Sequence, residues 1–206
     1  MIPGIVLAAG KSSRMGRTKA LLPVSPDETF LDRIVRTLID GGVDDVVVVV
    51  GADSAAIRSA AIQNGTPVRV IENRDWEQGQ LTSLNAGLRA VDRPGVRAAL
   101  VTLIDVPLVA AATVRTLLGR YRNGSAMIVR PARGAHHGHP VVFDRVLFDE
   151  FRTASPSNGA KQVVRAHAAD VLNVEIEDEG AFIDIDTPDD YERWIGPRLD
   201  PRKTLQ

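Results

Sequence analysis

The chain has 206 residues, 44% of them hydrophobic, and its 25 Lys and Arg residues nearly cancel 26 Asp and Glu residues to leave a net charge of −1. This length and apolar content predict one domain with a well-buried core, and the near-neutral charge argues against nucleic-acid or membrane-surface binding. The absence of cysteine excludes disulfides, thiolate metal sites and cysteine nucleophiles, and it fits a reducing compartment.

No transmembrane or secretory segment is expected. No stretch of the chain approaches the ~18 consecutive apolar residues of a membrane helix. The apolar start at residues 1–7 lacks the basic residues of a signal peptide. We therefore expect a soluble, cytoplasmic protein with neither nucleic acid nor membrane as a partner.

Predicted strands and helices alternate along the chain. Short apolar runs predict strands at residues 5–9, 46–50, 68–71, 98–104, 127–129, 141–143 and 171–176. Apolar residues at helical spacing predict helices at residues 31–39, 54–63, 81–91, 114–121, 146–151, 160–167 and 189–195. Thr29 and Asp32 are a potential capping box in front of the first helix. Residues 136–140 are expected to form a loop.

The run of five valines at residues 46–50 is apolar on both faces, which is typical of a strand covered by helices on both sides of a parallel sheet. We predict an α/β fold, a three-layer α/β/α Rossmann-like domain with a mostly parallel sheet over residues 1–196, followed by a tail at residues 197–206. Ligands bind beyond the carboxyl ends of the strands in such sheets. One cleft should therefore be shared by the residues just after Ala9, Ile71 and Ile104.

The strongest motif is Leu-Ala-Ala-Gly-Lys-Ser-Ser-Arg-Met-Gly-Arg-Thr-Lys at residues 7–19, directly after a predicted buried strand. Gly10 and Gly16 would let backbone N–H groups approach phosphate oxygens closely, and Arg14 and Lys19 would neutralise the phosphate charge. The motif predicts a phosphate-binding loop. The alternative is a tight turn whose basic side chains are merely solvated.

Two other nucleotide-binding motifs are excluded. The sequence Gly10-Lys11-Ser12 ends like a Walker A motif, but Ile5 stands where that motif requires its first glycine. Gly10 and Gly16 also do not fit the Gly-x-Gly-x-x-Gly fingerprint of dinucleotide-binding folds.

Two acidic segments are candidates for holding a hard cation such as Mg²⁺, which prefers oxygen ligands. Asp105 follows an apolar strand and would lie at the cleft, although it could instead cap the helix that begins near Ala110. Asp184 and Asp186 are two residues apart, so both carboxylates would face the same side of an extended chain. Like charges held together favour a cation between them.

Polar side chains are concentrated at the start of the third predicted helix. Gln80, Thr82, Ser83 and Asn85 follow Gly79, and amide side chains offer the paired donor and acceptor that a nucleotide base requires. Simple capping by Thr82 or Ser83 is an equally weighted alternative.

The histidines His136, His137 and His139 have no cysteine partners, and their spacing is not that of a zinc site. No Ser-His-Asp nucleophile elbow is visible either. Substrate contact or a plain loop is therefore expected around these histidines.

Taken in order along the chain, these segments resemble the molybdenum cofactor cytidylyltransferase family, within the wider group of molybdopterin and sugar nucleotidyltransferases. The resemblance is carried by residues 7–19, Gly79-Gln80 with Ser83-Leu84, Asp105-Val106-Pro107, Gly138-His139-Pro140-Val141 and Asp184-Ile185-Asp186-Thr187-Pro188. It implies a fold of the nucleotide-diphospho-sugar transferase type. It also implies a Mg²⁺-dependent enzyme that transfers CMP from CTP to the phosphate of molybdopterin and releases pyrophosphate.

The resemblance implies roles for particular residues. The implied nucleotide-binding residues are Leu7, Ala8, Ala9, Gly10, Ser12, Arg14, Lys19, Gly79, Gln80 and Ser83. The implied catalytic residues are Lys19, Arg14 and Asp105. The implied Mg²⁺ ligands are Asp105 with one or both of Asp184 and Asp186. The implied acceptor contacts are His139 and Lys161.

Expectations about the nucleotide and the acceptor depend on single residues at which branches of the family differ. Ala9 and the Arg17-Thr18-Lys19 ending look like the cytidylyl-using branch, because guanylyl-transferring relatives tend to carry Gly in place of Ala9 and an extra Gly and Asp before the lysine. The family usually has Gly-Asp-x-Gly-Ala-Arg where this chain has Ser-Asn-Gly-Ala-Lys at residues 157–161, and Ile104 replaces a small or polar residue. The alternatives are therefore a sugar or polyol phosphate acceptor, or a non-catalytic accessory protein that delivers nucleotide or cofactor to a molybdoenzyme.

Overall fold

A computed structural model describes residues 1–156 and 159–197. Its strands are β1 (Gly4–Ala8), β2 (Pro23–Ser25), β3 (Glu28–Thr29), β4 (Val46–Val50), β5 (Arg69–Glu72), β6 (Ala98–Leu103), β7 (Ile128–Arg133), β8 (His136–His137), β9 (Val141–Asp144) and β10 (Val171–Glu175). Its α-helices are α1 (Phe30–Asp40), α2 (Ser54–Gln63), α3 (Gln80–Val91), α4 (Ala111–Arg122), α5 (Phe148–Thr153), α6 (Lys161–Ala166) and α7 (Pro188–Trp194).

Eight strands form one central sheet in the order β10-β7-β9-β6-β1-β4-β5, with β8 paired to β7. Strand β1 pairs in parallel with β4 and β6, β4 with β5, and β7 with β10. Strand β9 is antiparallel to both of its neighbours, so β7 runs in the same direction as β6. The predicted mostly parallel sheet is confirmed. Strands β1, β4, β5, β6 and β7 all end at the same edge, here named the carboxyl edge.

The two faces of the sheet bury separate apolar clusters. Val46, Val48 and Val50 pack with residues of α1 and α4, whereas Val47 and Val49 pack with residues of α3 and α5. All five valines are almost completely buried. Alternate side chains of a strand point to opposite faces, so an all-apolar run suits a strand with a helical layer on each side. The predicted three-layer α/β/α architecture is confirmed.

Most predicted elements are present with small shifts at their ends. Helix α1 begins with the predicted capping box, in which the Thr29 N–H donates to Asp32 Oδ2 at 3.1 Å. The predicted loop at residues 136–140 instead contains β8, which pairs with the end of β7. Both residues of β8 are exposed histidines, so no apolar alternation marks this strand, and tertiary pairing alone creates it. The predicted helix at residues 146–151 begins as a 3-10 turn, Arg145–Leu147, and continues as α5.

Parts of two predicted segments lie outside the described residues. These are residues 157 and 158 of the 157–161 stretch and residues 198–206 of the predicted tail. In the described part of the chain, no helix combines the length and the apolar content needed to cross a membrane.

Candidate functional site

The loop after β1 folds back on itself at the carboxyl edge. The Ser12 carbonyl accepts hydrogen bonds from the N–H groups of Met15 at 3.0 Å and Gly16 at 3.1 Å. Gly16 has a φ of 70°, in the left-handed region that glycine adopts without strain. The Ser12 hydroxyl oxygen also accepts from the Lys19 N–H at 3.2 Å. These bonds close the loop and place Lys19 at the sheet edge.

Lys19 is the central charge of the site. It is only 8% exposed, and its Nζ lies 3.2 Å from Asp105 Oδ2 and 2.5 Å from Asp186 Oδ1. An Arg14 guanidinium nitrogen lies 2.8 Å from the other oxygen of Asp186. Lysines are almost never buried unless they are paired, so the alternative of a plain turn with solvated basic residues is wrong for Lys19. The structure brings together four predicted site residues: Arg14, Lys19, Asp105 and Asp186.

The two acidic segments are joined through the backbone. The Ile185 N–H donates to the Asp105 carbonyl at 2.8 Å, so the segment with Asp184 and Asp186 runs beside the tip of β6. The hydrogen bond from Lys19 lowers the pKa of Asp186. Although the side chain of Asp184 is exposed, partial desolvation and the nearby Asp105 and Asp186 carboxylates raise its pKa. Two carboxylates therefore contact the Lys19 ammonium group, and the Asp184 carboxylate lies near enough to both for their charges to affect its pKa.

These carboxylates could hold a divalent cation only together with other ligands. Among residues 1–156 and 159–197, no three His, Asp or Glu side chains are grouped so that they would hold a metal by themselves. Mg²⁺ usually binds one or two carboxylates and completes its shell with water and substrate phosphates. Asp105 Oδ1 is buried and has no hydrogen-bond partner in the described structure. A buried, unpartnered carboxylate oxygen fits a ligand of a hard cation.

Asp178, and not Asp105, serves the start of α4. Its Oδ2 accepts hydrogen bonds from the Ala110 N–H at 2.8 Å and from the Thr113 hydroxyl at 2.7 Å. The alternative role of Asp105 as a cap for this helix is therefore wrong. No local sequence pattern marks the contact of Asp178, because 68 residues separate it from Ala110.

The segment before α3 borders the loop after β1. Lys11 Nζ lies 3.5 Å from Glu77 Oε1 and 5.2 Å from the centre of the Trp76 ring. A Cβ on Gly51 would lie 2.5 Å from the Ala9 carbonyl oxygen and 2.6 Å from the Trp76 side chain, so only glycine fits here. This close packing brings the two predicted nucleotide-binding segments to the same edge of the sheet.

The start of α3 is held by a residue that the sequence analysis missed. Gly79, with a φ of 116°, leads into the helix, Gln80 is exposed and Ser83 is 3% exposed. The N-cap residue of α3 is Gly79, which makes no side-chain cap bond, and Thr82 and Ser83 lie inside the first turn, so the capping alternative for these two residues is wrong. Instead, Asn73 Nδ2 donates to the hydroxyl oxygens of Thr82 and Ser83 at 2.9 and 3.0 Å. Its only signal in the sequence is its position just after a predicted strand.

The two predicted acceptor contacts, His139 and Lys161, stand on different segments of the chain. The His139 N–H donates to the Ala181 carbonyl at 2.8 Å, and its ring Nδ1 is buried without a partner among the described residues. Burial lowers the pKa of His139, and the nearby Asp105 carboxylate acts in the opposite direction. Lys161 is exposed at the first residue of α6, whose Val163 packs on the same sheet face as α3. The structure therefore places His139 near the carboxylates, whereas Lys161 stays a prediction.

Residues 4–171 match the MobA-like NTP transferase domain. The chain belongs to the MobA-like NTP transferase family. This match includes the loop after β1, Asn73, the start of α3, Asp105 and His139, whereas Asp184 and Asp186 lie beyond it. The nucleotidyltransferase family suggested by the sequence motifs is thereby confirmed.

Relatives within this group are named for different activities. The nicotine blue oxidoreductase of Paenarthrobacter nicotinovorans is 33% identical, over 94% of this chain and 96% of its own. The molybdenum cofactor cytidylyltransferase of Escherichia coli K12 is 29% identical, over 91% of this chain and 92% of its own. The probable molybdenum cofactor guanylyltransferase of Mycobacterium tuberculosis H37Rv is 28% identical, over 90% of this chain and 89% of its own.

Solved structures agree with the fold. The crystal structure of Rv0371c from Mycobacterium tuberculosis H37Rv superposes with a TM-score of 0.78 at 31% identity, covering 95% of this chain and 98% of that one. The structure of Rv0371c in complex with manganese gives a TM-score of 0.71 at 30% identity, covering 94% and 97% of the two chains. The MobA-like fold therefore extends over nearly the whole chain.

Proposed function

We propose that this MobA-like protein is a Mg²⁺-dependent nucleotidyltransferase that transfers CMP from CTP to the phosphate of a molybdopterin-type acceptor. The observation that carries the proposal is the buried Lys19 ammonium between Asp105 and Asp186, at the end of the loop after β1. Arg14, from the same loop, adds a second cation at this point. The likeness to the Escherichia coli cytidylyltransferase supports the choice of substrates.

In the proposed reaction, an oxygen of the acceptor phosphate attacks the α-phosphorus of CTP. A bond forms between that oxygen and the α-phosphorus, the bond from the α-phosphorus to its bridging oxygen breaks, and pyrophosphate leaves with the electron pair. The attacking oxygen is already anionic, so no side chain has to remove a proton. Lys19 and Arg14 would act by positioning the triphosphate and neutralising its charge.

Nucleotide binding would exchange the ion pairs of the site. In this structure Lys19 and Arg14 are paired with carboxylates, and the triphosphate would compete for both cations. Asp105 with one or both of Asp184 and Asp186 would hold Mg²⁺, which would neutralise charge on the phosphates when bound. The manganese complex of Rv0371c supports a divalent cation in this group of proteins.

The acceptor would bind on the His139 side of the carboxylates. Strand β9 pairs Val141 with Val101 of β6, so the segment with His139 lies beside the end of the strand that leads to Asp105. The unpartnered, buried Nδ1 of His139 is suited to a hydrogen bond with the acceptor. We expect His139→Ala to raise the KM for the acceptor more than the KM for CTP.

A pyrophosphate-release assay with CTP, GTP and ATP, each with and without molybdopterin, tests the proposed function. We expect release that requires both CTP and molybdopterin. Pyrophosphate release with a sugar or polyol phosphate but not with molybdopterin would show that the acceptor is not molybdopterin. Nucleotide binding without release on any acceptor would favour the accessory role and contradict the enzyme.

The oxidoreductase relative requires one further comparison, because its 33% identity extends over nearly the whole chain. Reduction of nicotine blue should be measured in parallel, with NADH and NADPH as the reductants. We expect no reduction by the parent protein. Dye reduction without any pyrophosphate release would overturn the transferase proposal.

A further inference from the structure

One buried polar side chain at the carboxyl edge belongs neither to the loop after β1 nor to the carboxylate group of Asp105, Asp184 and Asp186. Asn73 follows β5 directly, is 6% exposed, and donates its backbone N–H to the Val50 carbonyl at 2.8 Å. Its Oδ1 accepts from the Asp75 N–H at 3.0 Å. Its Nδ2 donates to the hydroxyl oxygens of Thr82 at 2.9 Å and Ser83 at 3.0 Å. Asn73 therefore ties the end of β5 both to the turn before α3 and to the first turn of α3.

These bonds reach the backbone where α3 begins. Thr82 accepts from Asn73, and its own hydroxyl hydrogen points to the carbonyl of Gly79 at 2.8 Å or of Asp75 at 3.0 Å. The Thr82 N–H donates to the same Gly79 carbonyl at 3.1 Å. Ser83 also accepts from Asn73, so its hydroxyl hydrogen stays available as a donor. A chain of hydrogen bonds thus runs from β5 through Asn73 and Thr82 to Gly79.

We propose that Asn73 is a positioning residue of the nucleotide pocket, which holds Gly79, Gln80 and Ser83 in the orientation that receives the base and sugar. This inference rests on the nucleotide site of the proposed function. The N-cap residue Gly79 supplies no side-chain cap, and the Thr82 N–H already donates to the Gly79 carbonyl, so the N–H groups of Gln80 and Leu81 are the ones at this helix start that are open to a ligand. Asn73 acts through Thr82 and Ser83, because its own donor and acceptor atoms are already occupied.

Asn73→Ala separates a positioning role from a merely structural one. We expect CTP, titrated by calorimetry in Mg²⁺, to bind roughly tenfold more weakly, because more than one hydrogen bond that orients the pocket is lost. The KM for CTP should rise by a similar factor, while kcat at saturating CTP and the KM for the acceptor stay within about twofold of the parent values.

Tyr121→Phe is the matched control for loss of buried hydrogen bonds. The Tyr121 hydroxyl contacts the Arg97 carbonyl at 3.0 Å and Asp144 Oδ2 at 2.7 Å. Asp144 pairs with Ala98, the first residue of β6, so these contacts lie at the sheet edge opposite the site. Tyr121→Phe should lower the melting temperature without changing CTP affinity. An Asn73→Ala protein that is less stable but binds CTP like the parent would overturn the inference.

Two further variants extend the test, and the first of them keeps it decisive if Asn73→Ala does not fold. Thr82→Val breaks the link from Asn73 to Gly79 at a half-buried position and should also weaken CTP binding several-fold. In a double-mutant cycle, the effects of Asn73→Ala and Ser83→Ala on CTP affinity should be less than additive, because both remove the same contact. Unchanged CTP affinity in Thr82→Val, or full additivity, would contradict the positioning role.

The same titrations separate this inference from the proposed function. If the parent binds CTP and Asn73→Ala weakens it, the positioning role holds even when molybdopterin is not the acceptor. If the parent binds CTP and no variant in the Asn73–Thr82–Ser83 group changes the affinity, only the positioning role fails. If the parent binds none of CTP, GTP and ATP, both proposals are overturned.

Discussion

Replacement of Lys19 by alanine tests the electrostatic organisation of the site. The Lys19 side chain is 10% exposed, and its removal leaves Asp105 and Asp186, with side chains 22% and 30% exposed, without their shared counter-charge. Breaking a fully buried ion pair typically costs about 3–5 kcal/mol, whereas exposed pairs contribute about 0.2–1 kcal/mol. The carboxylates keep some contact with solvent, and Arg14 still pairs with Asp186. We therefore expect Lys19→Ala to lower the free energy of unfolding by about 2–3 kcal/mol.

The loss of stability should depend on pH. Lys19 lowers the pKa of Asp186 in the folded protein. Ionised Asp186 therefore stabilises the fold above the pKa of the carboxyl in the unfolded chain, and this contribution is lost as the pH falls through the folded value. Lys19→Ala removes the contribution. The difference in stability between parent and variant should be largest near neutral pH and should shrink below about pH 4.

Urea unfolding at neutral and acidic pH measures this effect, and Lys11→Ala is the matched control. The Lys11–Glu77 pair has side chains that are 65% and 69% exposed, so its loss should cost less than about 1 kcal/mol. In the pyrophosphate-release assay, Lys19→Ala should lower turnover by about 10²–10³-fold and also weaken nucleotide binding. If Lys19→Ala is as stable as the parent at neutral pH, or retains more than about a third of its activity, the reasoning is refuted.

Three further predictions concern the metal, the base and the backbone. Asp105→Ala should change the free energy of unfolding by only about 1–2 kcal/mol but should abolish turnover and weaken Mn²⁺ binding in a calorimetric titration; retention of more than about a third of the activity would contradict the metal assignment. CTP should bind more tightly than GTP or ATP in Mg²⁺, and tighter GTP binding would place the protein with the guanylyl-transferring relatives. Gly138→Ala should lower the melting temperature markedly, because a Cβ there would lie 2.0 Å from the Ala181 carbonyl oxygen. Gly119→Ala should be neutral or stabilising, because a Cβ there would have no atom of the described residues within 4 Å apart from its own helix backbone. Equal melting temperatures for the two glycine variants would contradict this prediction, because they would show that the backbone at Ala181 shifts to accommodate the added Cβ at little cost in stability.

Local patterns in the sequence predicted most of the fold. The valine run of β4, the helical spacing in α1 and the capping box of Thr29 and Asp32 all depend on residues within a few positions of one another. Burial of one face or of both faces of an element sets the spacing of its apolar residues, so this spacing can be recognised in the sequence without a structure. The short strand β8 had no such period, because both of its side chains are exposed.

The sequence by itself also determined which residues were proposed for the candidate site, since ordered motifs predicted Arg14, Lys19, Asp105 and the acidic segment around Asp186, and the structure brings these residues together. Only the tertiary structure decided how these residues are paired. Lys19 contacts carboxylates 86 and 167 positions away along the chain, and no local period encodes contacts at that distance. Asn73 and its link to the start of α3 were likewise found only in the structure. Parallel strands bring such residues to one edge, because successive crossovers return the chain to the same side of the sheet.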